Sequence, residues 1–106
     1  MQRNLTGFLG ADFLPLKYDI TPELKLKIRK LVKKDPKRAE ILRKKITQII
    51  ESDEITIERF KNLSNELKDR KRVHIDKSFV LTFKYFREQK FILFLDFDHH
   101  DRIYKK

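Results

Sequence analysis

Apolar residues recur in two rhythms along the chain, a helical one in the middle and an alternating one towards the C-terminus. Leu24, Ile28, Leu31 and Val32 are spaced to share one helical face among lysines, and Ala39, Leu42, Ile46, Ile49 and Ile50 repeat that spacing. Each run predicts an amphipathic helix that buries one stripe. Both helices carry start signals. Thr21-Pro22-Glu23 supplies an N-cap, a proline whose missing N–H is harmless in the first turn, and an acid at the positive end of the helix dipole. Asp35-Pro36 ends the first helix, because the residue before a proline leaves the helical region, and opens the second. A link this short predicts an antiparallel helix hairpin. Ahead of it, Leu16, Tyr18 and Ile20 alternate with Lys17 and Asp19, which predicts a short strand. After it, Ile57, Phe60, Leu63 and Leu67 predict a short helix followed by a loop within residues 56–68.

Beyond residue 71 the period changes to two. Segments 72–76, 79–86 and 91–97 are rich in Phe, Val, Ile and Tyr and are separated by the polar breaks Lys77-Ser78 and Arg87-Glu88-Gln89-Lys90. Breaks this short predict hairpins, hence an antiparallel meander. Strict alternation places Phe79, Leu81, Phe83 and Tyr85 with Phe91, Leu93, Leu95 and Phe97 on one face. Val80, Ile92 and Phe94 then lie beside Thr82, Lys84 and Asp96 on the other. A helix hairpin covers only one face, so the second needs a cover, either another chain or residues 1–15 with Leu5, Phe8, Leu9, Phe13 and Leu14. The predicted fold class is α+β: an irregular lead-in over residues 1–15, then one domain over 16–106 made of a strand, an α-helical hairpin and an antiparallel β-meander.

With 106 residues the chain has room for one domain. It has no cysteine, which excludes disulfides and thiolate metal sites, and its two glycines, Gly7 and Gly10, exclude a glycine-rich phosphate loop in the main body. No apolar run is long enough to span a bilayer. The first fifteen residues lack the basic start and continuous apolar stretch of a secretory signal, so a cytoplasmic location and no membrane partner are expected. The formal net charge is +10. It is concentrated between Lys25 and Lys45, where eleven basic residues face only Asp35 and Glu40. Such a patch favours a polyanionic partner, with Lys27, Lys30 and Lys34 as candidate phosphate contacts. The plainer reading is a pair of solvated helix faces of the kind common in thermophiles.

All three histidines lie in the β-rich third: His74, with Arg72 on the same side of its strand, and the pair His99-His100, followed by Arg102 and Tyr104. Histidine, arginine, lysine and tyrosine without a carboxylate cluster suit metal-independent RNA cleavage. A base takes the ribose 2′-OH proton, cations stabilise the phosphorane, and an acid protonates the leaving 5′-oxygen. Three plainer readings stand beside this one. A single strand histidine is most often structural, and Tyr104 could simply anchor the C-terminus. His99-His100 with Asp96, Asp98 and Asp101 could bind a divalent ion, although neighbouring strand residues point to opposite faces, so one histidine at most would serve a given site. No metal or cofactor is expected.

The string LKDRKRVHIDKSFVLTFKYF from Leu67, then FILFLDFDHHDRIYKK from Phe91, resembles the RelE/ParE superfamily of toxin–antitoxin toxins. The resemblance rests on Arg72–Ile75, Val80–Phe83 and His99–Tyr104, and the element order from Leu16 onward agrees with it. It implies a RelE-type toxin that cuts mRNA on the ribosome without metal and is held inactive by a cognate antitoxin, with operator DNA met only through the antitoxin complex. The histidine in Arg72-Val73-His74-Ile75 is similar to the histidine-dependent branch typified by YafQ. On that resemblance His74, His99, Arg72 and Tyr104 are the catalytic candidates, and Lys71, Lys77, Arg102 and Lys105 join the helix lysines as RNA contacts. The chain departs from the family pattern at Ser78-Phe79, at Asn65 and at Asp69, and residues 1–15 have no counterpart in it. A gyrase-inhibiting ParE-type toxin and a non-catalytic RNA- or protein-binding module are the alternatives.

Overall fold

The computed structural model describes residues 16–62 and 69–104, the Tyr104 side chain excepted. The expectations for residues 1–15, Leu63, Asn65, Leu67, Lys105 and the Tyr104 side chain lie outside the described residues. The chain runs β1 (Lys17–Ile20), α1 (Pro22–Lys34), α2 (Pro36–Ile50), α3 (Glu54–Arg59), β2 (Lys71–Ile75), β3 (Phe79–Phe86), β4 (Phe91–His99) and α4 (His100–Tyr104). The α+β class expected from the sequence is the observed one.

The helix starts are built as the sequence implies. Thr21 Oγ1 accepts the Leu24 N–H at 3.2 Å and donates to the Leu95 carbonyl at 2.8 Å, so one hydroxyl caps α1 and fastens it to β4. The Asp35 carboxylate caps α2 through the Arg38 N–H at 3.1 Å. Asp53 caps α3 through the Thr56 N–H at 2.8 Å, so this helix begins two residues before the predicted segment. Leu24, Leu42, Ile49 and Ile50 are buried, but Val32 is 54 % exposed. Val32 belongs instead to the rim of an apolar cleft of about 370 Å³ between α1, α2 and β1, with Tyr18, Ile28, Ala39 and Ile46 among its walls.

The sheet has the order β1-β4-β3-β2, with β2, β3 and β4 antiparallel and β1 parallel to β4. A β-bulge revises the predicted faces. Thr82 pairs with Asp96 but Phe83 pairs with Phe94, which leaves Leu95 as an extra residue in β4. Alternation in β4 is therefore reset by one residue. Ile92 and Phe94, not Phe91, Leu93 and Leu95, share the helix-covered face with Phe97. There they pack with Tyr18, Ile75, Leu81 and Phe83 in the main core. Phe83 contacts Phe94 at 5.9 Å between centroids and Phe60 at 5.6 Å. The opposite face is covered at one end by α4, whose Ile103 is buried against Val80. Towards its other end Phe86, Phe91 and Leu93 line a shallow apolar depression. Among the described residues no helix is long and apolar enough to cross a membrane.

Candidate functional site

Residues paired across strands point to the same side of a sheet, so the register fixes which candidates can meet. His74 pairs with Val80, and Val80 pairs with Asp98. His99 pairs with Phe79, and Phe79 pairs with Ile75. His74 and His99 thus occupy adjacent rows of opposite facing, two strands apart. The expectation that they share one site is corrected by this pleat: the β4 residue on the His74 side is Asp98.

The His74 side is the face that carries α4. His74 is exposed, and Arg72 lies two residues away on the same side, paired with Thr82. Ile103 seats α4 on Val80, the direct neighbour of His74. Arg102, exposed on α4, lies 3.6 Å from the Asp98 carboxylate. On the far edge of β4, Lys27 from α1 bridges Asp96 at 2.6 Å and Asp98 at 3.2 Å. Burial alone would depress the Lys27 pKa, but the hydrogen bonds and charges of the two aspartates outweigh it and raise the pKa above its ordinary value. The result is a shallow surface with Arg72, His74 and Arg102 on it and its two carboxylates already countered.

Several expected RNA contacts have other employment. Lys71 is buried; its ammonium donates to the carbonyls of Phe60 at 3.1 Å and Glu58 at 3.3 Å and to Asn62 Oδ1 at 3.4 Å. It ties the end of α3 and the residues just after it to β2 and does not face solvent, because a buried ammonium must find acceptors. Lys27 is likewise engaged in its paired carboxylates. Lys30, Lys34 and Lys77 are exposed.

His99 sits at the other side of the sheet end. Its ring meets Phe79 edge-on at 5.6 Å, and Phe79 in turn stacks on Phe97 at 5.2 Å and lies under the Arg38 guanidinium at 4.4 Å. Arg38 also reaches Asp35 and, at 3.4 Å, Asp76 in the β2–β3 turn. The strand argument that separated His99 from His100 fails here because β4 ends at His99 and α4 begins at His100. The two rings stack at 4.7 Å, with Asp101 beside both.

Sequence reasoning missed Lys27–Asp96–Asp98 and the Arg38–Phe79 contact. The period-two spacing of Asp96 and Asp98 was the available signal for the first, since it puts two carboxylates on one side of a strand; the second has no signal in spacing.

A protein of Methanocaldococcus jannaschii named "Putative toxin RelE4" is 46 % identical over 88 residues, covering 83 % of this chain and 89 % of the relative. The chain belongs to the RelE toxin family. An uncharacterized protein of Methanosarcina mazei is 44 % identical over 85 residues, covering 80 % of this chain and 94 % of that relative. No protein-family model matches the chain. No solved structure matches it.

Proposed function

We propose that this RelE-type toxin is an endoribonuclease that cuts ribosome-bound mRNA through its ribose 2′-OH, with the histidine-dependent chemistry of the YafQ-like branch. The observation that carries the reading is the exposed His74 flanked by Arg72, on the face that also receives Arg102 and, through Ile103, the later part of α4. His74 accepts the 2′-OH proton. The 2′-oxygen then bonds to phosphorus, the bond from phosphorus to the 5′-oxygen breaks, and a 2′,3′-cyclic phosphate is left. Arg72 and Arg102 stabilise the charge on the phosphorane, and Tyr104 gives the departing 5′-oxygen its proton. His99, on the other side of the sheet, takes no direct part. Lys30, Lys34 and Lys77 contact rRNA or mRNA phosphates, and Lys105 is a further candidate beside Tyr104. The partner that restrains the toxin is a cognate antitoxin; the apolar walls of the α1–α2–β1 cleft suit the nonpolar face of an amphipathic segment.

Purified protein added to programmed ribosomes is expected to cut mRNA in the A site. His74→Ala lowers the cleavage rate by about 10²–10⁴, the contribution of one placed acid or base. His99→Ala lowers it less than tenfold. Undiminished cutting by the His74 variant overturns the site, and inhibition of gyrase supercoiling without RNA cleavage overturns the reaction in favour of a ParE-type toxin.

A further inference from the structure

The junction of β4 and α4 gathers three metal-ligating side chains that the cleavage chemistry does not use. His100 Nδ1 lies 3.1 Å from one Asp101 carboxylate oxygen, and His99 Nδ1 lies 3.6 Å from the other. One ligand atom from each of His99, His100 and Asp101 falls within 4.8 Å of the other two. Four-coordinate zinc holds its nitrogen and oxygen ligands at about 2.0–2.2 Å, which sets them roughly 3.3 Å apart, so the three donors converge on an ion after small side-chain rotations.

Three local features prepare this arrangement. The His100 N–H donates to the Ser78 carbonyl at 2.8 Å, which fixes the chain where it turns from strand to helix. The Asp101 N–H donates to His99 Nδ1 at 3.2 Å, which holds the ring beside the first turn of α4. The Phe79 ring backs His99 and limits its rotation.

We propose that His99, His100 and Asp101 form a binding site for a borderline divalent first-row ion, of which Zn²⁺ is the representative. Two imidazoles and a carboxylate suit such ions better than Mg²⁺ or Ca²⁺, which prefer all-oxygen shells. Three protein ligands leave a fourth position to water. The bound ion joins the last residue of β4 to the first turn of α4. It therefore holds that five-residue helix, and with it Ile103 on Val80, against the sheet. None of its three ligands lies in the His74 row, so metal binding is read separately from cleavage.

Calorimetric titration of ZnCl₂ into the full chain at neutral pH tests this. The expected result is one ion per chain, with His99→Gln, His100→Ala and Asp101→Asn each weakening binding at least tenfold while His74→Ala leaves it unchanged. The side chain of His100 is 41 % exposed, so its variant keeps the fold, and far-UV circular dichroism verifies this. Zn²⁺ also raises the melting temperature of the wild type and not that of the His100 variant. Wild-type affinity in the His99 and His100 variants, or equal loss in the His74 variant, marks adventitious surface binding and overturns the site.

Discussion

Replacing Lys71 by methionine separates two roles open to a lysine that adjoins Arg72 and His74. If its ammonium is the internal tie seen in the fold, the variant loses stability; if it were an RNA contact, only RNA affinity would fall. Methionine keeps the length of the stem but no donor. The Lys71 side chain is 11 % exposed, and its nitrogen serves two carbonyls, at 3.1 and 3.3 Å, and an amide oxygen at 3.4 Å. A hydrogen bond from a charged donor contributes about 1.5–3 kcal/mol, and stranding a buried acceptor costs about 1–3 kcal/mol. The two longer bonds count for less, and the variant no longer desolvates an ammonium. The net loss is about 2–4 kcal/mol, a large share of the roughly 5–15 kcal/mol that stabilises a domain. For a chain this size that lowers the melting temperature by roughly 10–20 °C. Urea unfolding followed by circular dichroism measures the loss, with tyrosine fluorescence as the second probe because the chain has no tryptophan. A loss below about 1 kcal/mol, together with weakened ribosome binding, refutes the structural assignment.

Further substitutions probe the same framework. Thr21→Val removes both the cap of α1 and its bond to the Leu95 carbonyl, and is expected to destabilise by about 2 kcal/mol in chemical denaturation, with Thr21→Ser restoring most of it. Arg87, by hydrogen bond and charge, and Lys71, by charge, hold the Glu58 carboxyl below its ordinary range. Its contribution to stability is therefore present above the unfolded carboxylate pKa of about 4.3 and fades as pH falls through the lower folded value. Melting curves between pH 7 and 3 should show a shallower acid decline for Glu58→Gln than for wild type; parallel declines would remove the assignment. Lys27→Met should weaken ribosome binding more than Lys30→Met in filter-binding assays, because it uncovers Asp96 and Asp98 beside the proposed RNA path; equal effects would mean that Lys27 acts only as one more surface charge.

The helices were legible because their signals are local. Proline at the first turn, a capping Thr or Asp and one stripe of Leu and Ile fix α1 and α2 without reference to the rest of the chain. The order of β2, β3 and β4 was legible for the same reason, since Lys77-Ser78 and Arg87–Lys90 leave room only for hairpins. The faces of β4 were not. FILFLDF is apolar on both sides of any alternation, so nothing in it marks Leu95 as the residue that drops out of register. That single bulge moves Ile92 and Phe94 to the core and Leu93 to the outer face. The site suffered similarly from long-range geometry. His74, Arg72 and His99 stood out by residue type and gained catalytic roles from the resemblance, yet which of them share a side depends on the pairing of Val80 with both His74 and Asp98. Lys71 looked like a surface cation because its acceptors, among them the Glu58 and Phe60 carbonyls at the end of α3, carry no mark in sequence.

The acidic residues of β4 explain how the face proposed to meet RNA is built on a strand that carries carboxylates. Asp98 stands in the His74 row and Asp96 in the Arg72 row, where two bare negative charges would oppose a phosphate backbone. Lys27 bridges both from the open edge of β4 beyond the short strand β1, and Arg102 approaches Asp98 from α4. The aspartates in return fix α1 against the strand and draw α4 over Val80. The same contacts that assemble the domain therefore silence its unfavourable charges. Removing Asp98 would not simply make the surface more cationic: it would release Arg102 and one of the two anchors of Lys27. The proposed cleavage site consequently depends on acids that never touch RNA, because they decide where its cations stand.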